Sequence, residues 1–166
     1  PMFSGPHSHA LDEKGRTMVP KDFRAVLERL GERSLVVTYA KGRSDRLELR
    51  PAGLFAAYQT RFNEQSKTPP EHVLASPDQM RSWAKSRQLM RDFYFGEAEW
   101  IEVDKAGRIL IPAEKRRSLN LQDKIEFRGM GDETFQVWHP AEREDLLKTW
   151  NDSRDEIQEF LGLINM

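Results

Sequence analysis

A nine-residue segment occurs twice in the chain, and this repetition constrains the fold more than any other feature of the sequence. Residues 12–20 match residues 104–112 at a constant offset of 92, with Asp, Gly, Arg and Pro at equivalent positions. The register continues past the proline to Arg24 and Arg116. Because a fixed-offset repeat dictates architecture, we expect the chain to fold as two related halves.

Each copy of the repeat predicts the same order of elements. A short strand leads into Asp-x-x-Gly, a turn sequence in which Asp bonds backbone N–H groups and Gly adopts a positive φ. Arginine and three apolar or β-branched residues form the return strand. Proline then begins a short helix, where its missing N–H costs nothing. Further strands are predicted at residues 34–39, 46–50, 124–128 and 134–138, and longer helices at Pro51 and Pro140.

Neither copy is large enough to stand alone, because four short strands expose their edges and about 40 residues make a small core. Packing the copies about a pseudo-twofold axis, with the helices outside, would close the β-structure. The predicted organisation is a first repeat with its closing helix at 2–62, a connecting loop and helix at 63–98, a second repeat with the start of its closing helix at 99–150, and an acidic C-terminal helix at 151–166.

The connecting helix and the helix that closes the second copy carry apolar stripes. Ser76 and the residues after it form a capping signature for a connecting helix. Its predicted inward-facing residues are Met80, Trp83, Met90 and Phe93. The C-terminal stripe comprises Leu146, Trp150, Ile157, Leu161 and Ile164. These stripes favour packing within the chain or between subunits.

Composition excludes several classes of protein. The chain has no cysteine, so disulfides and thiolate metal sites are ruled out. Apolar runs fall far short of the roughly 20 residues that span a bilayer, which predicts a cytoplasmic protein without a membrane partner. The net charge is −1, yet residues 1–53 carry ten basic against seven acidic residues, whereas residues 140–166 carry three against seven. Such asymmetry is compatible with a nucleic-acid surface at the basic end.

The repeated motif resembles a known DNA-binding module. The sequence Val-Asp-Lys-Ala-Gly-Arg-Ile-Leu-Ile-Pro at residues 103–112, together with the basic helix that follows it to Leu119, is similar to the module of the AbrB/SpoVT family. Two tandem copies, with Met-Phe-x-Gly at residues 2–5, resemble the MraZ family of bacterial transcriptional regulators. The likeness covers residues 2–150, and the double motif is far more specific than one Asp-x-x-x-Arg.

The resemblance implies a fold and a function. The expected fold is α+β, a double swapped-hairpin β-barrel built within one chain from two pseudo-twofold repeats, with helices packed outside. The expected function is sequence-specific binding of double-stranded DNA by a ring-shaped homo-oligomer in the nucleoid. The resemblance further implies repression of the division and cell-wall operon through short direct repeats in its promoter.

The resemblance and the residue chemistry together predict the DNA-binding side chains. By resemblance, the DNA-binding arginines are Arg16, Arg24, Arg108, Arg116 and Arg117. Arginine presents a planar fork of donors that fits phosphate or the guanine edge, and a carboxylate four positions earlier would fix its orientation. The orienting carboxylates are Asp12 and Asp104, the turn glycines are Gly15 and Gly107, and the predicted phosphate-binding lysines are Lys14 and Lys105. No catalytic residue, metal or cofactor is predicted.

Alternatives remain open for these side chains. The Asp–Arg pairs could be salt bridges that only close their turns, and the arginines of the short helices could lie on a solvated face. Arg43 and Arg46 are expected to be surface residues of a hairpin loop. His7 and His9 lie near Asp12, so a metal site or an acid–base pair there would indicate an enzyme.

Two further functions fit the sequence without an enzyme. An AbrB-like antitoxin would share the fold, although such proteins usually carry one motif and an extended toxin-binding tail. A protein that only assembles would use the apolar helical stripes and would not bind DNA.

Overall fold

A computed structural model describes residues 2–166 and shows an α+β protein with a six-stranded antiparallel sheet and a separate two-stranded ribbon. The strands are β1 Phe3–Ala10, β2 Arg16–Met18, β3 Ser34–Ala40, β4 Arg43–Pro51, β5 Glu99–Glu102, β6 Arg108–Leu110, β7 Lys124–Asp132 and β8 Phe135–Trp138. The helices are α1 Lys21–Leu30, α2 Ala52–Gln65, α3 Glu71–Leu74, α4 Pro77–Leu89, α5 Ala113–Ser118, α6 Glu142–Asp152 and α7 Arg154–Leu163. A π-helical segment, Met90–Phe95, joins α4 to the turn before β5.

The two halves exchange strands instead of folding side by side. In the sheet order β1-β7-β8-β4-β3-β5, the first-half strand β1 pairs with β7 of the second half, and β5 pairs with β3 of the first. Strands β4 and β8 join the halves at the centre of the sheet, and β2 pairs with β6 in the ribbon. Because each half completes the other, the halves form one interlocked unit.

The strand register shows the internal symmetry directly. In the ribbon, Thr17 pairs with Ile109, and these two residues are equivalent at the offset of 92. A pseudo-twofold axis therefore passes through this pair, as expected for two exchanged hairpins. The sheet itself stays open, since β1 and β5 are its edges. The ribbon lies against both edges, with β2 beside β1 and β6 beside β5. It forms a sheet of its own, however, so the backbone pairing does not close the structure into the expected barrel.

The main core fills the space between the sheet, the ribbon and α1. Phe23 of α1 lies at its centre and contacts Phe3, Phe127 and Phe135 in edge-on and tilted geometries, with ring centroids 4.9 to 6.5 Å apart. All four rings are almost completely buried. Burying one such side chain stabilises a fold by about 1.5–3 kcal/mol, so this aromatic cluster anchors the first half to the second.

A smaller core covers the outer face of the sheet in the first half. Phe55 of α2 packs there with Val36 and Tyr94. The Tyr94 hydroxyl donates a hydrogen bond to the Glu48 carboxylate, and burial is the main cause that raises the pKa of Tyr94. The closing helix of the first half, α2, therefore packs on its sheet.

The helices outside the repeats differ from the sequence expectation. Ser76 caps α4 as predicted, accepting a hydrogen bond from the Gln79 N–H at 3.3 Å, but no residue of α4 is fully buried. Trp83 and Met90 are half-buried and Phe93 is exposed, so the predicted inward stripe is only partly covered. The segment contacts α3 and, through Phe93 stacked on Tyr39, strand β3, and these contacts leave much of α4 exposed to solvent.

The C-terminal segment forms two helices, because helical geometry is interrupted at Ser153 between α6 and α7. Neither helix buries a residue, and Trp150 and Phe160 are exposed. No helix in residues 2–166 combines the length and apolar composition needed to cross a bilayer.

The expectation for Arg46 was wrong. This residue belongs to β4 and is buried, with its guanidinium stacked 3.6 Å from the centre of the Trp138 ring. Arg43 is exposed and paired with Asp45, as a loop-end residue is expected to be. The pattern of charged residues in the sequence could not show that Trp138, on the distant strand β8, covers Arg46.

Candidate nucleic-acid interface

The first repeated turn is a hydrogen-bonded unit centred on Asp12. One oxygen of its carboxylate, Oδ1, accepts from the backbone N–H groups of Lys14 at 3.0 Å and Arg16 at 2.8 Å, and Oδ2 accepts from Arg16 Nε at 2.8 Å. The Gly15 N–H donates to the Asp12 carbonyl at 2.9 Å, with Gly15 at φ +89°. The hydrogen bond from the Arg16 N–H is the largest effect holding the Asp12 pKa below its ordinary value.

The second turn repeats this geometry around Asp104. Its carboxylate accepts from the Ala106 N–H at 2.9 Å, the Arg108 N–H at 2.8 Å and Arg108 Nε at 3.0 Å. Gly107 has φ +85°, and the Arg108 N–H is the main cause that lowers the Asp104 pKa. Both halves therefore build the same device from residues within five positions of one another.

Each carboxylate holds its arginine by Nε alone. The terminal nitrogens of Arg16 and Arg108 make no hydrogen bond or ion pair within residues 2–166. The two side chains are 37% and 40% exposed. Both Asp–Arg pairs are salt bridges, in agreement with the alternative that they close their turns. Exposed ion pairs, however, contribute little to the stability of a fold. Their geometry leaves two donor groups of each guanidinium facing outward in a fixed orientation.

The β2–β6 ribbon brings both arginines to one surface. Thr17 and Ile109 are buried on the inner face of the ribbon, at 2% and 1% exposure. Since side chains alternate along a strand, Arg16 and Arg108 lie on the opposite, outer face. Arg16 is directly opposite Leu110 in the register, so the arginines occupy diagonal positions, roughly 7–8 Å apart at the backbone.

The arginines of the short helices reach across to the other repeat. Arg24 Nε donates to the Val19 carbonyl at 3.0 Å, and its side chain lies so close to Gly107 that an added Cβ would be 2.8 Å from Arg24 Cδ. Arg116 Nε donates to a carbonyl at 2.9 Å in the same way, and a Cβ on Gly15 would be 2.4 Å from Arg116 Cζ. Each turn glycine therefore makes room for an arginine of the opposite half.

This crossing defines two clusters. The first-turn cluster comprises Lys14, Arg16 and Arg116, and the second-turn cluster comprises Lys105, Arg108 and Arg24. The sequence predicted all six side chains as DNA-binding but did not indicate which turn each helix arginine lies beside. The missing information was the exchange of strands, which carries each short helix to the turn of the other half.

The remaining predicted cations are exposed but not equivalent. Lys14, Lys105 and Arg117 are solvent-exposed and form no ion pair in the described part of the chain. The repeat equivalent of Lys105 is Glu13, and the equivalent of Lys14 is Ala106. Arg117 has no cationic counterpart in the first half, where Ala25 occupies that position. The two clusters thus share their arginine geometry and differ in their surrounding charge.

The histidine pair considered as a metal site packs against the core. His7 and His9 lie edge-on to Phe23 and Phe127, with ring centroids 5.0 and 5.7 Å apart. Burial is the largest cause lowering the His9 pKa, followed by the charges of His7 and Arg24. Within residues 2–166, no three histidine, aspartate or glutamate side chains come together as a metal site.

Comparison of the sequence with known protein families gives a match. The profile of the MraZ protein family, whose description carries the term antitoxin-like, matches residues 2–75 and 94–161. A protein of Syntrophobacter fumaroxidans named transcriptional regulator MraZ is 30% identical over 162 residues, covering 98% of this chain and 95% of the relative.

Two further relatives bear the same name. The protein of Ruegeria pomeroyi is 30% identical over 146 residues, or 84% of this chain and 78% of the relative. That of Lactiplantibacillus plantarum is 33% identical over 137 residues, or 82% of each chain. The profile matches both repeats and the relatives span most of the sequence, so the chain belongs to the MraZ family, whose curated members named here are transcriptional regulators.

Proposed function

We propose that this chain is a sequence-specific DNA-binding regulator that inserts the β2–β6 ribbon into the major groove. The observation that carries the proposal is the pair of Asp-anchored arginines on the outer face of the ribbon. The relatives named transcriptional regulators support the same role.

The dimensions and chemistry of the ribbon suit a major groove. That groove admits a two-stranded β-ribbon, and arginine binds the O6 and N7 atoms of guanine bidentately there. Arg16 and Arg108 keep their terminal nitrogens free because Asp12 and Asp104 bind only Nε. A side chain that is already oriented loses less conformational freedom on binding. These two arginines are therefore the proposed base-reading residues.

The other cations suit the phosphate backbone on either side. Lys14 and Lys105 project from the turns, while Arg24, Arg116 and Arg117 come from the short helices beside them. Phosphate contacts fix the position of a protein on DNA without reading sequence. With about two or three phosphates neutralised per chain, log K should fall against log salt with a slope of about −2 to −3.

A ring-shaped homo-oligomer would turn weak single contacts into stable binding. The outward apolar residues of α6 and α7, which include Trp150 and Phe160, support self-association because nothing in residues 2–166 covers them. Linked sites act at effective concentrations near the millimolar range. Direct repeats one helical turn apart, about 10–10.5 bp, would place successive subunits on one face of the duplex.

We infer the biological setting from the family. The proposed target is the promoter of the division and cell-wall operon, the proposed effect is repression, and the proposed location is the nucleoid of the cytoplasm. In this proposal residues 2–62 and 99–150 act as the paired DNA-binding repeats, with the ribbon completing a barrel by side-chain packing. Residues 63–98 connect the repeats, and residues 151–166 form an outer helical extension.

A mobility-shift experiment on that promoter tests the proposal. Arg16→Ala and Arg108→Ala should each lower affinity tenfold or more, since one good bidentate contact contributes about 1–3 kcal/mol per site and several sites act together. The double variant should lose nearly all preference for the promoter over unrelated DNA. Arg43→Ala and Arg143→Ala are matched controls, because both arginines are exposed and lie outside the ribbon. Unchanged binding by the double variant would remove these residues from the mechanism.

An antitoxin is the second candidate, favoured by the term in the family description and by the apolar face of α6 and α7. Sedimentation of the purified chain separates the two uses of that face. A ring that forms without another protein and shields Trp150 from a fluorescence quencher supports self-association. A stable monomer with exposed Trp150 supports a protein partner instead. A ring that gives no DNA shift would indicate a protein that only assembles.

A further inference from the structure

The outer face of the ribbon carries one large apolar side chain that the arginines and lysines leave unexplained. Leu110 is 51% exposed, although the neighbouring Ile109 and Ile111 are buried. Leu110 lies directly opposite Arg16 in the β2–β6 register. An apolar group is thus held beside a fixed guanidinium on the surface proposed to enter the groove.

The equivalent residue in the first half has a different environment. Met18 corresponds to Leu110 at the offset of 92 and is half-buried. Its sulfur lies 3.2 Å from the position of a Cβ on Gly107, beside Arg24, so Met18 packs into the second turn. Around Gly15, the three nearest atoms all belong to Arg116. The pseudo-twofold ribbon is therefore asymmetric in its apolar residues, with Leu110 as the more exposed one.

We propose that Leu110 is a specificity-determining residue that contacts the C5-methyl group of a thymine next to the base read by Arg16. This inference rests on the proposed DNA-binding function. In the major groove thymine is the base that presents a methyl group, and apolar side chains select for it. Directly opposed residues of a ribbon have Cβ atoms about 4.5–5.5 Å apart, and successive bases are about 3.4 Å apart along the helix. Leu110 and Arg16 therefore fall on the same or adjacent base pairs.

The asymmetry also gives the ribbon a direction on DNA. Two arginines related by the pseudo-twofold axis cannot by themselves distinguish one orientation of the duplex from the other. An exposed Leu110 beside Arg16, with Met18 packed away beside Arg108, makes the two halves read different base steps. A reader of this kind suits direct repeats, in which every site has the same orientation.

Replacing single thymines with deoxyuridine tests this inference, because the change removes only the methyl group. The full-length protein is titrated with the promoter site and with the same site carrying deoxyuridine at one thymine at a time. The wild-type protein should lose about three- to fivefold in affinity at one thymine position per repeat, in keeping with the burial of one methyl group. Leu110→Ala should bind the two versions of that site equally and still prefer the promoter through its arginines.

Matched variants keep the result interpretable. Met18→Ala should retain the preference for thymine, and Leu110→Ile should restore most of it, since an apolar side chain of the same volume returns. Thermal unfolding should show Leu110→Ala folded, because the side chain is half exposed. Specific binding with no deoxyuridine effect in the wild type, or the same effect in Leu110→Ala, would overturn the inference alone. No sequence-specific binding by the wild type would overturn the proposed function together with it.

Discussion

Phe23 and Lys115 occupy equivalent positions in the two short helices, yet one is aromatic and the other charged. Both are almost completely buried. Phe23 fills the aromatic cluster of the main core. The Lys115 ammonium donates to the Glu97 carbonyl at 2.6 Å and to the Glu99 carboxylate at 2.5 Å, and lies 5.3 Å from the centre of the Tyr39 ring. The same position of the duplicated fold therefore accommodates either a buried aromatic ring or a buried lysine with hydrogen-bond partners.

The strand beside each helix explains this difference. Strand β1 has eight residues and begins with Phe3, which packs on Phe23. Strand β5 has only four residues, because the chain enters it from the π-helical segment. The equivalent of Phe3 is Phe95, which packs on Phe55 and Phe62 in the outer core. A long side chain with a polar end then fills the space and bonds the carbonyl just before the shortened strand.

The closing helices show a second difference between the halves. Helix α2 lies on its sheet through Phe55, whereas α6 and α7 expose their apolar residues. The halves therefore differ in their first strands and their helices, while the turns and their orienting carboxylates keep the same geometry. The comparison teaches that the duplicated turns keep one geometry and the surrounding elements are free to take on packing and assembly.

Truncating Phe23, the aromatic residue at this equivalent position, should give the largest loss of stability. Phe23→Ala is expected to lower the free energy of unfolding by about 3–5 kcal/mol, because it opens a cavity in a fully buried cluster. Lys115→Met is the matched change in the second half. It should shift stability by less than about 1.5 kcal/mol in either direction, because Glu99 is 49% exposed and stays solvated without its partner.

Urea unfolding of both variants measures this pair of values. A loss for Lys115→Met as large as that for Phe23→Ala would show that the buried ammonium is as necessary as the aromatic ring. Similar slopes against urea concentration are needed for the comparison, since a changed slope indicates a changed denatured or native state.

Substituting the turn glycines should give intermediate losses of stability in both halves. In Gly15→Ala and Gly107→Ala, a side chain at positive φ costs about 1–2 kcal/mol. Displacing the arginine packed above the turn adds about 1 kcal/mol. Gly31→Ala is the control, because φ is +66° there and nothing lies within 4 Å of the new Cβ. Urea unfolding measures the differences, and a control as costly as the turn variants would deny the arginine contact any role in stability.

The pH dependence of stability should show the smallest effect, and it should be present in both halves. Hydrogen bonds from backbone N–H groups lower the folded-state pKa of Asp12 and Asp104 below the ordinary 3.8. The stability these carboxylates contribute is therefore fully present above pH 3.8 and is lost as the pH falls through their folded-state values.

Asp12→Asn and Asp104→Asn should each flatten the acid limb of stability between pH 2 and 5, measured by chemical unfolding at each pH. The two variants can be compared directly, since the hydrogen bonds to the two carboxylates match. A flattened limb in one variant only would show that the turns differ in solution.

The repeat made much of the fold and site predictable. The strand order within each half, the Ser76 cap and the turn geometry at Asp12 and Asp104 were foreseeable, since each depends on residues a few positions apart. The burial of Arg46 could not be foreseen, because its aromatic neighbour belongs to the distant strand β8. The exposed stripe of α6 and α7 was also beyond the sequence, since periodicity reports an apolar face without saying what covers it.

Local hydrogen bonding made the sequence alone sufficient to specify two turns of the same geometry, each presenting an arginine held by a carboxylate four residues earlier. Only the tertiary structure decided that Arg24 lies over Gly107 and Arg116 over Gly15. The physical reason is that strand exchange between the halves moves each short helix to the opposite turn. Contacts that depend on pairing residues about 90 positions apart are set by the whole sheet and are not present in any local pattern.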